Sequence, residues 1–532
     1  MAVADDVAAL AALVRDSAGP GERAAAEWVA GRLRGAGVAD VELQRFRYQG
    51  TYAWAHAAHS AAAMAGGPLA LAALASLELE GSGRLQWLRR LLPAGEGTTA
   101  VARAGEGPRT LVLVAHVDAA RTGVAWNPRV TEPGAARRLE RRAVDPYLAP
   151  VAAGMALAAL PWRRARTAGR AVLALSLAAD LNIALSRTVP GASDNATGVA
   201  VALGLVADPP PGLRVIGVFC GCEESGMGGM AAWLRTPEGR GLDPAATLVL
   251  GLDTLGAGTP TVLRGEGVLL EHRYRDEDLA LADAGASRAG MAPPQRWRIG
   301  GWTDPVLARF AGLPALSLLS IGPKGAFTNY HRATDTPDRV DWGSVDACAR
   351  LARGIAEEVG CMWSVHGAIA FAAEAAGATR VTGVDVMGET PEYRAEHARR
   401  GSAVRFVGGD LHDPATVAAA GVHDVVWCSG VLYHAPHPLL TLQRLRELTG
   451  RTLLLATEVL PEVRGLRRAA VFAPDPHVHP GRPQPPDAAT GYAGWFWLPT
   501  PSATRALLEA AGFAVTEEHA APFHRTFVAV CG

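Results

Sequence analysis

LVLVAHVD, residues 111–118, decides how the chain is read: five apolar residues run without a break and then give way to His116 and Asp118. So short a run, with no polar alternation, is the mark of a strand buried on both faces. Side chains two apart share a face, so His116 and Asp118 project together where that strand ends. Three further runs have the same form: LRVIGVFCGCEE at 213–224, ATLVLGLD at 246–253 and PALSLLSIG at 314–322. Helix-like segments separate them, among them 196–207 and 227–234, and the helix-like stretch 344–358 follows. Strand alternating with helix is the pattern of an α/β fold, in which ligands bind beyond the strand ends.

Each run delivers a candidate metal ligand. His116 ends the first, with Asp118 placed to accept the proton-bearing nitrogen of its ring and fix the tautomer. Asp194 lies in PGASDNATGVAVALGL (190–205), Glu223 and Glu224 close the second run, Asp253 closes the third, and His331 lies in FTNYHRATDTPD (327–338) after the fourth. Singly these have ordinary explanations: a strand-end histidine is commonly structural, and an aspartate before a helix is a good N-cap. Two adjacent acids at the edge of a core are harder to explain, because they repel and are costly to desolvate unless a cation neutralises them. Imidazoles and carboxylates together suit zinc, and one carboxylate is able to bridge two ions.

The motifs AHVD, GASDNATG, CGCEESGMGG, GLDTLG and YHRATDTPD, in that order, resemble the di-zinc aminopeptidase family, whose relatives include glutamate carboxypeptidases and glutaminyl cyclases. The resemblance runs from residue 1 to about 356. It implies that His116, Asp194 and Asp253 hold one Zn2+, and that Asp194, Glu224 and His331 hold the other, with Asp194 as bridge. It also implies that Glu223 is the general base acting on a metal-bridging water, that Tyr330 helps stabilise the oxyanion, and that the Asp194–Asn195 peptide is cis. Asp118 is then the orienter of His116, and Asp335 steadies the loop after His331. Trp302 and Asp304, in IGGWTDPVLARFAGLPA (299–315), are candidates for the substrate pocket. The activity implied is hydrolysis of peptide bonds, with peptides as substrates and removal of N-terminal residues favoured. A carboxypeptidase or amidase on the same metals is the alternative; glutaminyl cyclase fits less well, because that branch uses one zinc.

One departure from that family is the segment of about 119–190 between His116 and Asp194, which holds two apolar stretches and either lids the site or lies on a membrane. Cys220 and Cys222 flank the second strand, where packing explains them better than metal ligation.

From about residue 359 a second alternation begins. VGCMWSVHGAIAFAAEAAGATRVTGVDV (359–386), VRFVGGDLHD (404–413) and DVVWCSGVLYHAPHP (424–438) resemble a class I S-adenosylmethionine-dependent methyltransferase. That resemblance implies a cofactor site in which Gly360 allows close approach of the methionine part, Asp385 binds the ribose, and Asp410 with Leu411 meets the adenine. Tyr433 and His434 would lie near the methyl group. A first central strand is required before Gly360, but ARLARGIAEE (349–358) reads as helix. Methyl transfer as the main activity, beside an inactive peptidase half, is the alternative from another class. Pro474 to Pro486 reads as a surface loop.

The expected architecture is thus α/β: a mixed-sheet zinc-exopeptidase domain at 1–357, with its hydrophobic insert, then a Rossmann-like doubly wound methyltransferase domain at 358–532. Two domains suit 532 residues, which exceed what one core organises. Lys and Arg total 51 against 52 Asp and Glu, so no overall charge attracts nucleic acid. Six cysteines without framework spacing suit a reducing compartment and no disulfides. The N-terminus lacks a basic n-region and reads as two amphipathic helices, giving a cytoplasmic expectation. Membrane association through 54–77 and 148–185 is the competing expectation, since these alanine-rich stretches are apolar yet each is broken or short for a span.

Overall fold

The computed structural model describes residues 3–107, 109–210, 213–244, 246–361, 367–386, 388–389, 391–462, 467–472, 497–521 and 524–532, so the loop expected at 474–486 lies outside the described residues. The chain forms two compact units, Met1–Gly360 and Cys361–Gly532.

In the first unit ten strands share one sheet: β1 (Asp40–Tyr48), β2 (Gly95–Ala104), β3 (Arg109–His116), β4 (Ala143–Val144), β5 (Leu213–Cys220), β6 (Thr247–Leu252), β7 (Thr259–Glu266), β8 (His272–Arg273), β9 (Gln295–Ile299) and β10 (Ala315–Ile321). Their order is β1-β2-β5-β3-β6-β10-β7-β9-β4, with β8 on β7. The central four, β5, β3, β6 and β10, are parallel, whereas the β1–β2, β2–β5 and β10–β7 pairs are antiparallel, so the sheet is mixed. The four apolar runs read from sequence are those parallel strands. Outer strands such as β1 escaped that reading, because its residues DVELQRFRY are half-exposed and carry alternating charge.

Alternation along the central strands builds two cores. Leu111, Leu113 and Ala115 of β3, with Leu213, Val215 and Phe219 of β5, turn to one face. There they meet α1 (Val3–Ala11), α2 (Pro20–Gly35), a helix at Thr197–Ala207 and another at Trp342–Cys361. Val112, Val114, Ile216 and Val218 turn to the other face, against Met230, Trp233 and Val306. Both faces being covered is why these strands contain no polar position until they end. Each buried leucine contributes roughly 1.5–3 kcal/mol by leaving water.

A separate layer of four helices stands beside the sheet: α3 (Ala53–Ala63), α4 (Gly67–Gly81), α5 (Ala149–Ala159) and α6 (Arg163–Leu185). The first apolar stretch thus splits into two helices at Gly66, whose φ of 82° belongs to the left-handed region open to glycine. Two more helices named above complete the set, α7 (Thr197–Ala207) and α8 (Trp342–Cys361). The insert of about 119–190 leaves and re-enters the fold at one point. Arg121 bridges Thr188, Thr122 N–H donates to Arg187 O at 3.0 Å, and Val189 N–H donates to Ala120 O at 2.9 Å.

In the second unit the described strands fall into three sheets. β11 (Thr382–Asp385) and β12 (Arg405–Gly408) form a parallel pair; β13 (His423–Ser429) and β14 (Thr449–Glu458) are parallel. β15 (Ala470–Phe472) pairs with β16 (Trp497–Pro499), and β17 (Phe513–Ala521) with β18 (His524–Cys531), the second of these hairpins joining β14 through β18. Within residues 513–531 the chain thus forms two antiparallel strands. Residues before Gly360 are helical: α8 buries Val345, Cys348, Leu351, Ala352, Ile355, Ala356 and Val359 in the first unit's core. Among the described residues no strand lies between the β11–β12 pair and the β13–β14 pair.

Candidate metal centre

His116 is the last residue of β3, and its imidazole Nε2 lies 3.3 Å from Asp194 Oδ1, 3.8 Å from Asp253 Oδ1 and 3.9 Å from Glu223 Oε2. His331 Nε2 lies 3.4 Å from Asp194 Oδ2 and 3.1 Å from Glu224 Oε2. Asp194 therefore turns one oxygen to each histidine. Ligand atoms of His116, Asp194 and Glu224 all fall within 4.8 Å of one another.

Asp194 does not cap α7. Its backbone, φ −113° and ψ 89°, is extended within the tight turn before that helix, and the Asp194–Asn195 peptide is cis. Asn195 ties the turn to the end of β6: its side chain donates to Leu252 O at 2.8 Å and accepts from Thr254 N–H at 3.1 Å. Three non-glycine residues in or beside the cluster, Cys222, Thr254 and His331, have φ near 57°, 50° and 55°. Such conformations are uncommon and concentrate at functional sites.

Asp118 is fully buried. Its carboxylate accepts the backbone N–H of Glu223 and of Glu224, each at 3.1 Å, and the Ser17 hydroxyl at 2.7 Å. His116 Nδ1 lies 3.1 Å from Asp118 O and 3.5 Å from Asp118 Oδ1, so the main-chain carbonyl is the nearer orienter of the ring. Asp335 reaches past its own loop: its carboxylate accepts the N–H of Ser193 at 2.8 Å and of Asp194 at 3.1 Å. Tyr330 stacks on His331, ring centroids 3.7 Å apart.

Four carboxylates thus crowd two imidazoles. Burial pushes Glu223 well above the usual carboxylate range and raises Glu224, each partly offset by a histidine. For Asp194 burial is outweighed by His116 and His331, which hold its pKa low. Burial opposes protonation of His331, but Glu224 and Asp194 carry its pKa to about 10. Glu224 Oε1 and His331 Nδ1 are buried without a hydrogen-bond partner. Unpaired buried acids cost several kcal/mol each. A divalent cation offsets that cost, and the donor set of imidazole nitrogen and carboxylate oxygen fits zinc.

Several contributors were not visible in the sequence. Arg15, buried, donates to Val117 O at 3.0 Å and to Pro190 O and Gly191 O at 2.8 and 2.6 Å, clamping the end of β3 to the Asp194 turn. Glu22, pushed up to about 8 by burial and by Asp118, accepts the N–H of Thr98 and Cys222 at 2.7 and 2.8 Å. Trp126 of the insert meets His331 edge-on at 4.4 Å. No periodicity marks such residues, because each acts on segments far away in the sequence, 76 to 200 positions for these hydrogen bonds of Arg15 and Glu22.

A cavity of about 1160 Å³ opens over His116, Asp194, Glu223 and Asp253. The insert supplies much of its wall, including Trp126, Tyr147, Leu175 and Asp180. Trp302 also lines it, whereas Asp304 is buried beside Cys220 and is pushed up to about 7 by burial. Cys220 and Cys222 are free buried thiols raised by burial, Cys222 Sγ lying 3.3 Å from Glu22 Oε2.

In the second unit Asp385 ends β11 and its carbonyl accepts the N–H of Gly409 at 3.0 Å. Asp410 accepts the N–H of His412 at 2.8 Å, and Leu411 packs against Val417 and Leu448. Tyr433 and His434 sit in a short turn after β13, ring centroids 4.4 Å apart. Gly360 belongs to α8 in the first unit.

Residues 178–356 match the model of peptidase family M28, and residues 358–450 match that of a methyltransferase domain. No curated protein matches the chain. Similar solved structures include an aminopeptidase from Aneurinibacillus sp. strain AM-1 (13% identity, 68% of this chain and 92% of that one, TM-score 0.41). BSAP, a zinc aminopeptidase from Bacillus subtilis, matches at 13% identity over 67% of this chain and 94% of its own, TM-score 0.41. A glutaminyl cyclase from Bacteroides thetaiotaomicron bound to N-acetylhistamine matches at 14% over 67% and 96%, TM-score 0.41. The M28 match implies zinc, and among the described residues His116, Asp194 and Glu224 are grouped closely enough to hold a metal ion. Residues 178–356 are thus similar to peptidase family M28, a hydrolase family, and residues 358–450 to a methyltransferase domain.

Proposed function

We propose that the first unit is a two-zinc aminopeptidase that removes N-terminal residues from peptides. The observation that carries this reading is Asp194, whose two oxygens face two different histidines at 3.3 and 3.4 Å. One ion is then held by His116, Asp194 and Asp253, and the other by Asp194, Glu224 and His331. Zinc bound there supplies Lewis acidity, which polarises the scissile carbonyl and lowers the pKa of water toward neutrality.

Glu223 stands beside this ligand set with a carboxylate whose affinity for protons is raised by burial. It accepts the proton of the attacking water and passes it to the nitrogen of the leaving peptide. Asp118 holds the backbone of Glu223 and Glu224, and so aims both acids. Burial keeps the Tyr330 phenol protonated throughout the neutral range, leaving it a donor for the oxyanion of the tetrahedral species.

Metal analysis with a paired assay tests the reading. Two zinc ions per chain are expected, with hydrolysis of leucine p-nitroanilide but not of its N-acetylated form. Cleavage of blocked substrates alone would favour a carboxypeptidase or amidase, and no cleavage of either would sink the proposal.

A further inference from the structure

The layer of α3, α4, α5 and α6 is apolar on the side turned away from the protein. On α6, Ala168, Ala171, Leu175, Ala178, Leu181 and Leu185 recur at helical spacing and are all exposed. Leu175 is 73% exposed, Leu185 79% and Trp162, just before the helix, 66%. On α4, Leu69 and Leu71 are 61% and 55% exposed, and α5 shows solvent only Ala149, Pro150, Ala153 and Ala156. An ordinary surface helix has the reverse pattern, with its apolar stripe inward.

The charged residues of the layer divide cleanly. Glu80 and Asp180 are buried, Glu80 paired with Arg89 and Asp180 lining the cavity; Glu78 accepts the backbone N–H of Leu269 at 3.2 Å. The remaining ones are Arg163, Arg164 and Arg166 at the start of α6, all exposed, and Arg170, exposed but donating to Met64 O at 2.8 Å. Cations in a first turn oppose the helix dipole, so they weaken α6 unless an anion lies outside it. Within the layer, contact is made by small residues. A Cβ on Gly169 would come within 2.5 Å of Ala158 N and 2.6 Å of Gly154 O, so α5 and α6 touch backbone to backbone. That mode of packing is usual where helices lie in lipid. By length and composition α6 is also, among the described residues, the one helix able to cross a bilayer. Asp180 and Asn182 stay on the protein: Asp180 lines the cavity, and Asn182 accepts the N–H of Val124 at 2.8 Å.

We propose that the outer face of α3 to α6 docks on an anionic lipid surface, with Arg163, Arg164 and Arg166 at the headgroups and the leucine-rich face in the acyl boundary. The docking itself does not depend on the hydrolytic reading. It places the cavity, whose wall includes Leu175 of the same helix, beside the membrane; on the hydrolytic reading, membrane-adjacent peptides then reach it first.

Flotation of the purified full chain with vesicles tests this. The chain is expected to float with vesicles of phosphatidylcholine mixed with phosphatidylglycerol, and more weakly with pure phosphatidylcholine. The R163Q/R164Q/R166Q variant should partition into the mixed vesicles about a hundredfold more weakly. L69D/L71D/W162D, altered only at exposed positions outside the cavity, should stay with the soluble fraction while keeping the wild-type unfolding midpoint. If that variant fails to fold, the arginine variant decides alone. Wild-type chain that floats with neither vesicle overturns the proposal. So does a lipid-free dimer, by light scattering, that the aspartate substitutions split, since the face would then belong to a second copy.

Discussion

Asp335 holds Asp194 by its backbone rather than by its side chain, accepting the Asp194 N–H at 3.1 Å and that of Ser193 at 2.8 Å. It thereby fixes where a residue 141 positions earlier points both carboxylate oxygens. Replacing Asp335 with alanine leaves two buried N–H groups unmet, each costing about 1–3 kcal/mol. Zinc affinity is expected to fall roughly 10- to 100-fold, the usual effect of removing a residue that supports a ligand. Competition with a chelator reads it directly; unchanged affinity would show that the turn is held elsewhere.

Glu223 and Glu224 are neighbours with different expected losses. Glu223→Gln should keep the zinc content while lowering kcat by about 10²–10⁴-fold, the range for a general base. Glu224→Gln should lower zinc content itself. A Glu223→Gln chain with full activity removes the base assignment.

Gly198 and Gly204 lie on the same helix and should respond oppositely to alanine. A Cβ at Gly198 would overlap Asn195 Oδ1 and Leu252 O, the contacts that lock the Asp194 turn, so G198A should lose zinc and stability together. Gly204 is exposed with nothing within 4 Å, and G204A should gain about 0.5–1 kcal/mol in urea unfolding.

His56, buried in α3, has its pKa pushed down to about 3 by burial and by nearby Arg89. The unfolded chain therefore binds a proton there between about pH 6.5 and 3 while the folded chain does not, so stability rises with pH across that window and is lost on acidification. From pH 7 to pH 5 the wild type should lose about 2 kcal/mol more than His56→Gln. Parallel losses in urea melts at the two pH values would show that His56 is solvated.

The central strands, and with them His116 and Asp253, could be read from the sequence because chemistry and position coincide there: an apolar run buried on two faces ends in one polar group, as at Ala115–His116 or Leu252–Asp253. Strands such as β1 could not, since half-exposed edges carry charge and look like loops. Supporting residues stayed hidden for a different reason. Arg15 and Glu22 work through backbone atoms of distant segments, and a contact to a carbonyl or an N–H leaves no trace in the partner's identity. Asp118 and Asp335 were singled out, yet their partners were not, and both turned out to hold backbone rather than only a ring or a loop.

The zipped base of the insert, Arg121 to Thr188, makes those seventy or so residues a cassette. Because its ends already meet, exchanging it for a short turn changes the closure entropy by only about 1–3 kcal/mol. The loops bearing His116 and Asp194 would keep Arg15 as their clamp. What the site can hold and what it can reach are thus encoded in separable parts of the gene, and selection can rewrite the second without disturbing the first.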